Sequence, residues 1–96
     1  MKLKIAITAA ILAASVGVQA GNDHEACKRF SERAEYIMDK RQDGYPMREY
    51  MELVKGNEMA ENLVMAAYKD PKYRTSEHQQ RAVEKFGNRL YMDCLG

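Results

Sequence analysis

The chain has 96 residues, with 15 Lys and Arg against 14 Asp and Glu, no Trp and two cysteines. So even a balance excludes the basic footprint of a nucleic-acid-binding domain and offers little to an anionic membrane surface. The length fits at most one small domain, near the size at which an apolar core needs help from a covalent or metal staple.

The chain opens with Lys2 and Lys4, an apolar run over residues 5–18 and the small-x-small ending Val18-Gln19-Ala20. This pattern reads as a secretory signal over residues 1–20, cleaved after Ala20. The run is shorter than the ~20 residues a spanning helix needs, and no cysteine follows it directly to carry a lipid, so stable membrane insertion after cleavage is not expected. Residues 21–96 then form a single domain with 13 basic and 14 acidic side chains once Lys2 and Lys4 are gone.

Apolar residues beyond Ala20 recur at helical spacing, without β-type alternation, which predicts an all-α bundle of about four helices. Asn22 or Asp23 caps a first helix to about Gln42, with Cys27, Phe30, Ala34, Ile37 and Met38 as its inner stripe. Gly44 supplies a left-handed terminus and Pro46 prevents continuation. A short helix from Pro46 to Lys55 places Met47, Tyr50, Met51 and Val54 on one side, and Gly56 ends it. Asn57 caps a third helix to Lys69, burying Met59, Ala60, Leu63, Val64 and Ala67, before Asp70-Pro71 breaks the chain. Ser76 with Gln79 forms a capping-box pattern for the last helix, which buries Val83, Phe86, Leu90 and Cys94.

In an oxidising compartment the two cysteines are expected to pair as Cys27–Cys94, with two free thiols or an intermolecular bridge as the alternatives. Because Cys27 begins one apolar stripe and Cys94 ends another, an intramolecular bridge makes the first and last helices antiparallel neighbours. Closing so long a loop contributes about 4 kcal/mol by chain-entropy arithmetic.

No catalytic or metal constellation emerges. His24 and His78 are the only histidines, and H-E-x-x-H, C-x-x-C and G-x-S-x-G patterns are absent. The carboxylate pairs Glu32/Glu35 and Glu58/Glu61 have basic neighbours at Arg29, Arg33 and Lys55 and read as solvated helix faces. Neither an enzyme nor a cofactor is expected. Six tyrosines, and six methionines beyond the signal, instead supply adaptable contact groups. Their densest stretch nominates Tyr45, Met47, Arg48 and Tyr50 as an exposed partner-binding patch. The competing expectation is that Met47, Tyr50 and Met51 simply close one end of the core. Tyr68, Tyr73 and Arg74 around the Asp70-Pro71 break form a second candidate patch.

Cys27, residues 34–38, the turn Arg41-Gln42-Asp43-Gly44, Pro46-Met47, residues 64–71, Phe86 and Cys94 together resemble a group of small exported proteins of bacteria and their phages or prophages, generally without an assigned activity. The resemblance implies a secreted, disulfide-closed helical domain and brings no catalytic residues. Val64, Tyr68 and Cys94 are also loosely similar to the Tai-type periplasmic immunity proteins of type VI secretion, although Pro71 falls one position early and the additional central cysteines of that family are absent. The expected role is therefore a periplasmic or secreted, non-enzymatic protein-binding or inhibitory factor whose partner is an envelope or periplasmic protein. The alternative is a periplasmic acid-stress chaperone opened by carboxylate protonation.

Overall fold

The computed structural model describes residues 23–96; the expected signal segment, its cleavage site and the Asn22 cap lie outside the described residues. Within them the chain forms four helices and no strand: α1 (residues 23–42), α2 (Met47–Leu53), α3 (Glu58–Tyr68) and α4 (Ser76–Leu95).

The turns follow from local chemistry. Gly44 takes φ 90°, and the amides of Gly44 and Tyr45 donate to the carbonyls of Arg41 and Lys40, both at 3.0 Å, closing α1 with a Schellman-type turn. Pro46 then stands extended at φ −65° and serves as the N-cap of α2. This helix is shorter than expected, stopping at Leu53 with Val54 as its C-cap, before Gly56 turns the chain at φ 91°. Asn57 caps α3 as predicted, its side-chain oxygen accepting from the Ala60 amide at 3.1 Å. The α4 cap is Thr75 rather than Ser76: its hydroxyl accepts from the His78 amide, while the Gln79 side chain turns back to the Tyr73 carbonyl at 2.7 Å.

One core unites all four helices: Ala34, Ile37 and Met38 from α1, Tyr50 from α2, Leu63, Val64 and Ala67 from α3, and Ala82 and Phe86 from α4. Phe30, Val83 and Leu90 pack half-buried against it, and α2 lies on α3. The closest packing is between α1 and α4, which run antiparallel and are joined by the Cys27–Cys94 disulfide at a Cα separation of 5.6 Å. Gly87 permits that closeness. A Cβ placed there would meet the Glu35 side chain, with Cδ only 2.8 Å away, and the Gly87 carbonyl accepts from the Ser31 hydroxyl at 2.8 Å. Two expectations fail at the periphery. Cys94 is exposed, because the last turn of α4 overruns the core and exposes Met92 and Leu95 with it; Met59 is 46% exposed because it lies at the rim of the α3 stripe.

At the other end of α1 a second tether forms. Gln42 is only 2% exposed, yet its amide is fully engaged: Nε2 donates to the Pro71 carbonyl at 2.9 Å, and Oε1 accepts from the Tyr73 amide at 2.8 Å. Nε2 also approaches Met38 Sδ at 3.4 Å. Next to it, Arg41 Nε donates to the Asp70 carbonyl at 3.0 Å, and its guanidinium lies 5.0 Å from the Tyr68 ring centroid. The Arg41-Gln42 turn therefore holds the Asp70-Pro71 break.

Two stability predictions follow from these tethers. Replacing both cysteines with Ala is expected to lower unfolding free energy by about 2–4 kcal/mol in urea titration, with reductant producing the same loss in the unaltered protein and none in the variant. Gln42→Ala is expected to cost about 1–3 kcal/mol and to abolish hydrogen-exchange protection at the Tyr73 amide, because that donor loses the side-chain oxygen it bonds among the described residues.

Candidate functional site

The four residues of the predicted patch divide. Tyr50 is 7% exposed and is the one buried residue of α2, so it cannot belong to an open patch as expected. A seven-residue amphipathic helix has a single inward turn, and Tyr50 occupies it, packing edge-on against Tyr45 at 5.5 Å between ring centroids. Tyr45 is half-buried, and its carbonyl accepts a hydrogen bond from the Tyr68 hydroxyl. Met47 and Arg48 are exposed, so the competing expectation holds for Tyr50 and half-buried Met51 but not for Met47. In the second patch, Tyr68 packs under Arg41, whereas Tyr73 and Arg74 remain exposed, with Tyr73 beside His78.

What the structure adds is a groove between α1 and α2. Two adjoining depressions of about 340 and 250 Å³ share Tyr36, Tyr50 and Leu53 in their walls. Tyr36 is 60% and Leu53 69% exposed, so an aromatic and an aliphatic side chain stand open on either side. Arg33 and Lys55 edge the first depression and Lys40 and Tyr45 the second. The Lys40 ammonium sits 5.2 Å from the Tyr36 ring centroid, a cation–π contact. Sequence reading missed Tyr36 and Leu53. The Arg33, Tyr36, Lys40 spacing of three and four was the available signal, since it puts all three on one helix face.

A second cleft, of about 530 Å³, opens between α1, α3 and α4, walled by Phe30, Met59, Leu63, Ala66 and Leu90 with Glu58 and Asn62 beside them. Neither cleft contains a nucleophile–base pair. Among the described residues no three His, Cys, Asp or Glu side chains gather as a metal site requires. His78 contacts the Thr75 hydroxyl at 2.9 Å, and Glu61 accepts from the Gly56 amide at 3.0 Å, so both have local structural partners. No protein-family model, curated protein or solved structure matches the chain.

Burial has a titration consequence around the first groove. The Tyr50 phenol is pushed above its ordinary range by desolvation, with Tyr36, Tyr68 and Tyr45 opposing its ionisation. Desolvation also raises Tyr68, with Arg41 pulling the other way and Tyr45 adding to the rise. A phenol whose folded pKa is raised favours the folded state below its unfolded pKa, and that contribution is lost as pH climbs through the folded pKa. Tyrosinate absorbance is therefore expected to resolve two late-ionising groups among the six tyrosines, removed by Tyr50→Phe and Tyr68→Phe, with stability falling above pH ~10.

Proposed function

We propose that this chain is a small exported, non-enzymatic helical domain that works by holding another protein of the cell envelope, as an inhibitory or immunity-type factor does. The observation that carries this reading is a scaffold tethered at both ends of α1 that nevertheless leaves Tyr36 and Leu53 open across one groove. A lone exposed apolar side chain is ordinary, but two facing one another over a concave surface on a domain this small are the composition of a contact site. The absence of matching catalytic motifs in the sequence is consistent with binding as the activity.

Placement in the periplasm rests on two supports. The charged start, apolar run and small-x-small ending of residues 1–20 have the form of a signal, and the Cys27–Cys94 bond is of a kind that persists in oxidising compartments. No helix among the described residues is long and apolar enough to cross a membrane. The similarity to phage-borne and immunity-type exported proteins belongs to the same proposal.

The test introduces a photo-crosslinking residue at Leu53 in the living cell, with the same residue at exposed Glu84 on α4 as the control. A discrete adduct in the periplasmic fraction from position 53, absent from position 84, is the expected result, together with a mature mass corresponding to cleavage after Ala20. No adduct, or identical adducts from both positions, contradicts the binding role; a protein retained at full length in the cytoplasm contradicts export.

A further inference from the structure

The α1–α2 groove has a chemical character that narrows what it holds. Its walls carry three cationic side chains, Arg33, Lys40 and Lys55, and no carboxylate. None of the three takes part in the ion pairs found among the described residues, which join Arg29 to Glu25, Arg81 to Glu77 and Arg89 to Asp70. The nearby Glu61 carboxylate is turned onto the Gly56 amide. Because the whole chain is close to neutral, this positive rim is a local property of the groove rather than a reflection of overall charge.

We propose that the groove binds an acidic segment of the partner protein, seating one aromatic or branched apolar side chain between Tyr36 and Leu53, above buried Tyr50, while flanking carboxylates meet Arg33, Lys40 and Lys55. The inference rests on the protein-binding reading and deepens it. Each depression has room for one large side chain, and the tyrosine walls accept an aromatic ring edge-on or stacked. Lys40 lies over the Tyr36 ring, so a carboxylate that pairs with it is brought beside the aromatic wall. The attraction requires no buried charge: Lys55 is exposed and the rim is wet, so charge governs selection and on-rate while the apolar anchor governs residence.

The geometry favours a peptide over an anionic lipid surface. Tyr36 and Leu53 come from two different helices on either side of a shallow depression, whereas a membrane-surface helix presents one convex apolar face. The Phe30–Leu90 cleft, by contrast, has Glu58 among its walls and no cation, which makes it the natural internal comparison.

The probe is a peptide of about eight residues with one central Phe flanked by Asp and Glu, compared with a Lys-flanked version and an acidic version carrying Gly in place of Phe. Binding is followed by amide chemical shifts on the intact, oxidised protein. Shifts centred on α1 residues 33–40 and α2 residues 50–55 are expected for the acidic Phe peptide alone, weakening about tenfold between low and high salt. The double variant Lys40→Glu, Lys55→Glu should abolish them while melting normally; Arg81→Glu, on α4, should leave them intact. Equal binding of the Lys-flanked peptide, indifference to the double charge reversal, shifts centred on the Phe30–Leu90 cleft, no binding of the acidic Phe peptide, or binding only to anionic vesicles overturns the proposal. A Leu53 crosslink to a partner that survives the charge reversals removes this inference and leaves the protein-binding reading standing; loss of the crosslink's position dependence removes both.

Discussion

The amide of Gln42 ties together two parts of the chain that are far apart in sequence. It comes from the last turn of α1, yet its hydrogen bonds go to Pro71 and Tyr73 in the connection between α3 and α4. That connection has little apolar substance of its own, and residues 71–75 are all exposed. Its backbone groups would otherwise be free to pair with water in many arrangements, so a buried donor–acceptor pair that satisfies one carbonyl and one amide together selects a single path. Arg41 extends the hold to the Asp70 carbonyl, and the Asp70 carboxylate stands 3.9 Å from Arg89 on α4. The exposed Arg89 pair contributes little by itself, but it places the Asp70 turn against both α1 and the body of α4.

The disulfide acts on the same helix from its other end. Cys27 and Gln42 are 15 positions apart, so the two tethers stand on the order of 22 Å from one another along the helix axis. Between them Ser31, Ala34, Glu35 and Met38 face α4 or the core, and Gly87 lets the two backbones approach. Small residues at the contact, rather than large ones, are what make the α1–α4 pair the tightest in the bundle. For a domain with nine clustered buried residues, covalent closure at one end and buried hydrogen bonds at the other replace the core volume that a longer chain would have.

Much of this was legible in the sequence because the signals were local. Gly44, Pro46, Gly56 and Asn57 punctuate helices through their own backbone or side-chain chemistry, and cysteines at the outer ends of two stripes imply which helices adjoin. The turn Arg41-Gln42-Asp43-Gly44 and the Tyr68-to-Pro71 stretch stood out as separate motifs, but their docking onto each other did not, since the partners of Gln42 lie 29 and 31 positions away. A glutamine ending a helix reads as solvated until the segment that covers it is known. Tyr50 and Met59 failed for a related reason: periodicity fixes which residues share a face, while the neighbours a short helix meets decide how much of that face is covered. Thr75 and Ser76 are adjacent hydroxyls, either of which offers a capping oxygen, and only the path of the preceding loop distinguishes them.

The position of the groove follows from the tethers. With α1 committed to α4 along one face and to α3 at its end, the face bearing Arg33, Tyr36, Ile37 and Lys40 is left to α2, which is only seven residues long. Such a helix covers Ile37 and buries Tyr50, but it is too short to close over Tyr36, and Leu53 is left open on its outer side. A longer α2 would bury these groups and abolish the cleft; the early stop at Leu53, enforced by Gly56 turning the chain at positive φ, keeps it open. Tyr36 and Leu53 are the most exposed apolar side chains of α1 and α2, and they stand where the chain ends a helix early, above buried Ile37 and Tyr50.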